Sequence, residues 1–305
     1  MPSRLCFTNK GIRNGVVHFG SIHTFCDSKG RIRVPHRSNK TVVTWFHIST
    51  DDPRTGMIAE LDRTVDRWHT SCLLTRQKLI EFGIPEEKLF VIPLGVDLRA
   101  FSAISHPEEK ATLRRNLGIP EDNIVVGSFQ KDGVGFGEGN TPKLIKGPDI
   151  FCDVMERLAK EIPLHVLLTG PARGYVKQRL EKAGITYTHH YVDHPNDLAP
   201  YYRTLDAYLI SSRAEGGPKA VLEAGACGIP VVSTPVGMAP EVIDDGYNGF
   251  VTNPDDLANK LLLVLSDKAL HKKICEQAPR AVANNSWQAI AQRYAEELYV
   301  PLVGP

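Results

Sequence analysis

Short apolar runs and helix-patterned stretches take turns along almost the whole of this chain. That alternation narrows its architecture more than any other feature. The runs fall at 15–19, 41–46, 89–92, 124–129, 164–168, 208–210 and 231–233. Several are apolar on both faces, as strands are when a parallel sheet is covered on both sides. Helical patterns lie between them, near 57–66, 72–82, 148–160, 174–183, 196–203, 218–227 and 255–265. Strand–helix alternation of this kind predicts α/β units built on doubly wound parallel sheets.

A chain of 305 residues is long enough for two such units. A boundary is expected at Ile92-Pro-Leu-Gly-Val-Asp97, because a polar, charged stretch follows before a fresh strand starts at Ile124. The expected division is 1–97, 98–284, and a last helix within 285–305 that opens on a Ser286 cap. In open α/β sheets ligands bind beyond the carboxyl ends of the strands. Two facing units would share a cleft there.

Composition excludes several classes. A net charge of +1 gives no global argument for nucleic acid. No stretch of 18 apolar residues is present to span a membrane. The polar, basic start does not read as a signal peptide. The six cysteines, at 6, 26, 72, 152, 227 and 275, form no Cys-x-x-Cys pair and read as reduced thiols of a cytoplasmic protein. The segment 4–40 is basic: Arg4, Lys10, Arg13, Lys29, Arg31, Arg33, Arg37 and Lys40 stand against Asp27 alone. The plain reading is a solvated surface. The sharper one is peripheral contact with anionic lipid or with an anionic acceptor.

Two glutamates carry the strongest chemical signal. Glu215 and Glu223 stand eight positions apart in Ser211-Ser-Arg-Ala-Glu-Gly-Gly-Pro-Lys-Ala-Val-Leu-Glu-Ala-Gly-Ala-Cys-Gly-Ile-Pro230. Gly216 and Gly217 form a loop, Pro218 suits the first position of a helix, and Lys219 follows. The amides at such a helix start favour anions. A carboxylate before the helix and another one turn inside it suit a ligand with hydroxyls at both ends and phosphates in the middle. Glu223 would hold a ribose diol and Glu215 the hydroxyls of a sugar. The alternative is that both carboxylates only complement the helix dipole.

A second signal is the glycine-rich stretch from Lys131 to Gly147, with Gly133, Gly135, Gly137 and Gly139. It lies between a strand and a helix that begins at Pro148, which is the layout of a phosphate cradle. Lys146, just before that helix, would neutralise charge on a diphosphate leaving group. Lys131 and Lys143 are equally open to contact with the ligand or to plain solvation. The spacing is not that of a Walker loop.

His47, in Thr44-Trp-Phe-His-Ile48, ends an apolar run and would reach a sugar hydroxyl. Asp51 and Asp52 read by default as caps for the turn after Pro53. His189, His190 and His194 look like a metal cluster. Neighbouring histidines in an extended segment face opposite ways, so no metal site is expected.

Together these residues resemble the family-four retaining glycosyltransferases, the glycosyl transferases group 1 of the GT-B fold, over 41–299. The markers are Ile92-Pro-Leu-Gly-Val-Asp97, Lys146-Gly147, Thr169-Gly170, Ser212-Arg-Ala-Glu-Gly-Gly-Pro218, Glu223-Ala-Gly-Ala-Cys-Gly-Ile-Pro-Val-Val232 and Asp245-Gly-Tyr-Asn-Gly249. The resemblance implies an α/β protein of two Rossmann-like, doubly wound domains facing a cleft, with the N-terminal one reduced. It implies a last helix that crosses back onto the first domain. It implies Glu215 at the donor sugar, Glu223 at the ribose, Lys146 at the diphosphate and His47 reaching the sugar. The donor contacts would be completed by Gly216, Gly217, Pro218, Lys219, Lys131, Gly133 and Tyr191, with the base near Tyr187–Val192. The family's arginine after the first strand of the second domain is replaced here by Gly127-Ser-Phe-Gln-Lys131. The glycine-rich turn usual after the first strand of the first domain is not evident.

The expected activity is metal-independent, retaining transfer of a hexose from a UDP- or GDP-linked sugar to an acceptor hydroxyl. The acceptor would be a glycan, a lipid-linked group or a small molecule, and no separate cofactor is expected. The alternatives are a nucleotide-sugar-binding protein without transfer, or a nucleotide-sugar epimerase of the same architecture.

Overall fold

The computed structural model describes residue 8, residues 10–48 and residues 51–303. Arg4 and Cys6 lie outside them. The chain forms two compact units, one of residues 1–94 and 287–305, the other Gly95–Ser286. The sequence placed these breaks after Asp97 and after Asn284.

The first unit holds a four-stranded parallel sheet. Its strands are β1 (Val16–Phe19), β2 (Lys40–Thr44), β3 (Arg67–Thr70) and β4 (Leu89–Val91). They stand side by side in chain order, with every pair parallel. A doubly wound sheet reverses its strand order at one point. Among the described residues this sheet does not, so it represents one half of such a sheet. Helices α1 (Ile22–Phe25), α2 (Ile58–Asp62) and α3 (Leu73–Glu81) lie in the crossovers. One core gathers Phe25, Val43, Trp45, Leu61, Trp68 and Leu79, all at most 1% exposed. Asp52 caps the turn Pro53–Met57, accepting from the Arg54 amide at 3.0 Å, as expected.

The C-terminal helix covers the other side of this sheet. It runs from Trp287 to Val303 with a π-helical turn over Tyr294–Tyr299. Ile290 and Leu298 close a second core with Val42 and Ile92. A polar chain runs beneath it. Tyr299 Oη lies 2.7 Å from His18 Nδ1, and His18 Nε2 lies 2.7 Å from Thr44 Oγ1. Thr44 Oγ1 lies 2.8 Å from His69 Nδ1, and His69 Nε2 lies 3.0 Å from the Ile92 carbonyl. A carbonyl only accepts, so His69 donates from Nε2 and leaves Nδ1 to accept from Thr44. Thr44 then accepts from His18 Nε2–H, and Tyr299 donates to His18 Nδ1. Every link is satisfied with both rings neutral. Burial, with His69 beside it, pushes His18 down to about 3. Burial likewise lowers His69 to about 4.

The second unit holds a six-stranded parallel sheet in the order β10-β9-β8-β5-β6-β7. The strands are β5 (Ile124–Phe129), β6 (Leu164–Thr169), β7 (Thr186–His190), β8 (Ala207–Ile210), β9 (Val231–Ser233) and β10 (Phe250–Val251). The order reverses between β5 and β8, so this sheet is doubly wound. Its helices are α4 (Pro107–Asn116), α5 (Pro148–Leu158), α6 (Gly174–Lys182), α7 (Ala199–Arg203), α8 (Lys219–Ala226), α9 (Ala239–Val242), α10 (Leu257–Ser266) and α11 (Lys268–Ala281). The apolar faces of α5, α6 and α10 meet one side of the sheet in a core around Phe151, Met155, Val166, Leu180 and Leu261. α4 fills part of the stretch read as a polar linker. Lys110 and Arg114 each reach the half-buried Asp206 at 2.7 Å. Burial alone would raise the Asp206 carboxyl, but these two cations outweigh it and hold it low.

Candidate functional site

The residues singled out in the second unit meet at the carboxyl ends of β5 and β8, where a doubly wound sheet reverses direction. Two loops build the site. The first ends in a short turn, Leu144–Lys146, followed by Gly147 and the start of α5 at Pro148. The second runs from Ser211 to Pro218, ahead of α8.

The loops are stitched together. The Arg213 amide donates to the Ile145 carbonyl at 2.9 Å. The Arg213 guanidinium grips both Asp149 carboxylate oxygens, at 2.8 and 2.6 Å. Hydrogen bonding from Arg213 draws the Asp149 carboxyl below its ordinary range. Ser211 Oγ donates to the Gly147 carbonyl at 2.9 Å. Gly147 itself has φ 62°, and a Cβ there would overlap the Ser211 carbonyl. Only glycine suits both the left-handed backbone and the close approach.

This stitching brings Lys146 Nζ to 2.5 Å from Glu215 Oε1. The buried Ser212 hydroxyl donates to the same oxygen at 2.9 Å. Both charged side chains stay partly accessible, at 26% and 15% exposed. Glu223 sits one turn inside α8. Its Oε2 accepts from the Tyr202 hydroxyl at 2.8 Å. Burial raises the Glu223 carboxyl, while the Tyr202 bond and Lys219 partly offset it. Tyr202 is fully buried between Phe129 and Tyr208, with ring centroids at 4.7 and 5.3 Å.

The structure places several expected residues differently. Pro218 is the cap residue of α8, with extended backbone at ψ 103°, and the helix begins at Lys219. Pro218 was expected at the first helical position, but its ψ is far from helical. Gly216 is buried and Gly217 half-buried beside that start, while Lys219 is exposed. Gly133 does not form a cradle ahead of α5. Its missing side chain makes room for the backbone of Gly139 and Ala172. The glycine stretch folds into a hairpin whose Glu138 and Gly139 carbonyls cap α6, accepting from the Gly174 and Tyr175 amides at 2.6 and 3.0 Å. Lys131 is half-buried, with Nζ 4.3 Å from the centre of the Phe136 ring. Tyr191 projects into solvent just past β7, 67% exposed. His47 is an exposed residue of the first unit, beyond the end of β2 at Thr44. His189 turns to the Gly170 carbonyl at 2.8 Å and His190 to the Tyr201 ring at 5.6 Å, so these two do not converge.

Sequence reasoning missed three contributors. Ser212 and Tyr202 hold the two glutamates. Arg173, fully buried, donates to the carbonyls of Ser128, Gln130 and Thr169 at 2.7, 2.9 and 3.0 Å. It thereby ties the ends of β5 and β6 together, and Asp132 stands 3.1 Å from it. Burial outweighs Arg173 at Asp132 and raises its carboxyl. A signal for Ser212 was present in its adjacency to the Glu215 motif. Arg173 lies in a loop with no helical or strand pattern to mark its burial.

A doubly wound parallel sheet, with a basic and an acidic side chain paired at the reversal point and a carboxylate inside the next helix, defines a Rossmann-like architecture. Known proteins narrow this further. Residues 141–281 match the family described as glycosyl transferases group 1. That match spans just under half of the chain, and the fold is that of the GT-B proteins. It is 27% identical over 249 residues to a D-inositol 3-phosphate glycosyltransferase of Geodermatophilus obscurus, covering 76% of this chain and 51% of that protein. A protein of the same description from Corynebacterium jeikeium is 31% identical over 217 residues, covering 66% and 49%. The chain thus spans about half the length of the curated relatives it matches. Among solved structures, Anabaena HepE in complex with UDP and glucose superposes with a TM-score of 0.72 at 23% identity, covering 85% of this chain and 71% of that one. Sucrose-phosphate synthase from Thermosynechococcus elongatus does so at 0.67 and 19%, covering 85% and 67%. These structural likenesses concern the fold.

Proposed function

We propose that the protein is a glycosyltransferase whose second unit binds a nucleoside-diphosphate sugar, and that it moves a hexose to an acceptor hydroxyl with retention and without a metal. One observation carries this reading. A cation, Lys146, and a carboxylate, Glu215, share the rim of one sheet reversal point, and a second carboxylate, Glu223, sits one turn inside the adjoining helix.

A nucleotide-sugar satisfies that set in order. The ribose diol donates to Glu223, which Tyr202 holds by one oxygen. The diphosphate faces Lys146 and the first amides of α8, where the helix dipole favours negative charge. The sugar hydroxyls donate to Glu215, oriented by Ser212. Binding separates the Lys146–Glu215 pair and gives each group a ligand partner. Lys146 then neutralises charge as the glycosidic bond breaks, the step at which preorganised charge lowers the barrier most. The acceptor hydroxyl attacks the same sugar face, and its proton passes to the departing phosphate. His47, in the first unit, is assigned to the sugar by family resemblance. The HepE complexes with UDP and with UDP-glucose put uridine donors first for testing.

Thermal unfolding with UDP, GDP and their sugars tests the donor half. A ligand that binds only the folded state raises the melting temperature with concentration. No shift from any nucleoside diphosphate sinks the proposal. A second reading is donor binding without transfer, favoured by a first-unit sheet that holds its four strands in chain order. Binding with no transfer to any acceptor and no donor hydrolysis would select it.

A further inference from the structure

The second unit carries an apolar projection that the donor site does not use. Phe136 is 101% exposed, at the tip of the glycine hairpin, and Val134 beside it is 56% exposed. Leu144 and Ile145, at the foot of the hairpin, are 53% and 37% exposed. Four large apolar side chains thus face solvent within one short stretch, where scattered single ones are the rule.

The hairpin that presents them is anchored. The Val134 amide donates to the Thr141 carbonyl at 2.9 Å, and the Lys143 amide to the Asp132 carbonyl at 2.7 Å. Its far arm caps α6 through Glu138 and Gly139, and Asn140 accepts from Gln178 at 3.0 Å. Glycines flank Phe136 on both sides, so the tip alone is free to adjust.

The charges beside it are basic. Lys131 and Lys143 flank the hairpin, and neither has an acidic partner among the described residues. The acids nearby each face a cation. Asp132 is buried against Arg173, and Glu138 lies 3.5 Å from Lys177.

We propose that this hairpin docks the protein on an anionic lipid bilayer, with Phe136 and Val134 entering the interface and Lys131 and Lys143 meeting the headgroups. Three features favour a bilayer over other surfaces. A side chain exposed beyond its reference value stands on a protrusion, which needs a soft medium to enter rather than a matching pocket. Lys131 lies over the Phe136 ring, on a face that a sugar would need for stacking. The remaining apolar groups are aliphatic, which suits acyl chains, and apolar area with basic charge is what holds a peripheral protein at an anionic interface. The hairpin belongs to the second unit, whereas the basic segment 4–40 belongs to the first.

Co-sedimentation of the full chain with phosphatidylcholine vesicles, with or without about one-third phosphatidylglycerol, tests this without donor or acceptor. It therefore reads independently of the transferase proposal. The chain is expected to bind the anionic vesicles and to be released by salt. Phe136→Ser, at a position with nothing to unpack, is expected to keep the wild-type melting temperature and to weaken partitioning roughly tenfold or more. Lys143→Gln is expected to weaken it about fivefold at low salt. Phe136→Trp is expected to show a blue-shifted emission on anionic vesicles only. Absence of vesicle binding overturns the proposal, as does binding that Phe136→Ser leaves unchanged. Release by a soluble anionic oligosaccharide with no emission shift in Phe136→Trp would assign the surface to a soluble polyanion instead.

Discussion

Lys146 and Glu215 come from loops after different strands of one sheet, and their charged ends meet at 2.5 Å. Neither side chain reaches the other through its own helix. The meeting depends on Arg213 clamping Asp149 and on a glycine that lets two backbones touch.

A pair held this way can be asked whether it serves stability or ligand. Both side chains are partly exposed, so breaking the pair costs the fold little, within about 1 kcal/mol. Glu215→Gln and Lys146→Ala are therefore expected to keep near-wild-type unfolding midpoints while transfer falls roughly 10²- to 10³-fold. Wild-type turnover in both variants would remove these residues from the reaction.

Glu223 lies deeper and acts on a different part of the ligand. Glu223→Gln should weaken nucleoside-diphosphate binding about tenfold, by loss of charge-assisted bonds to a diol. The free sugar should not protect it or the wild type. Calorimetric titration with the nucleotide alone is the direct check, and unchanged affinity would count against a ribose contact.

Gly147→Ala should be the most damaging single methyl in the site. It forces a left-handed backbone onto alanine and drives Cβ into the Ser211 carbonyl. A loss of about 2 kcal/mol or more is expected in denaturant unfolding, together with loss of donor binding. A stable variant that still binds would show that the two loops can separate without harm.

The histidine chain beneath the C-terminal helix predicts an acid response. Both rings are held neutral: folded His18 titrates near 3 and His69 near 4, against 6.5 when unfolded. Below 6.5 the unfolded chain takes up protons that the folded one refuses, so unfolding gains. Stability should be complete above about pH 6.5 and fall by up to about 1.4 kcal/mol per pH unit for each histidine until the folded values are reached. Urea midpoints that stay level from pH 6.5 to pH 4 would contradict this. Tyr299→Phe, which removes the donor to His18, should cost about 1 kcal/mol at neutral pH.

Much of this architecture could be read directly from residue patterns. The strands at 124–129 and 231–233 were located to the residue, because each opens on a β-branched apolar run directly after a polar turn or a proline. β3 was not seen. Its sequence, Arg-Trp-His-Thr, mixes charge, ring and hydroxyl, and only the tertiary partners of His69 and Trp68 make it buryable. β7 was read only as extended, since its histidines and threonines are half-buried at a sheet edge. α11 was missed because Pro279 interrupts its pattern. At the candidate site, the Lys146–Glu215 pair was legible from its motifs. The residues that aim them, Ser212, Tyr202 and Arg173, were not, because nothing local distinguishes a buried polar side chain from a solvated one.

The first unit's sheet is completed by Tyr294 and Tyr299, which enter only after the whole of the second unit has passed. In covalent terms the second unit is an insertion between Leu94 and Trp287. On the ribosome, His18 and His69 would wait with their polar chain open until the last helix emerged. A chain synthesised without that helix should leave β1 to β4 assembled late or not at all, while Gly95–Ser286 would have every strand of its own sheet in hand.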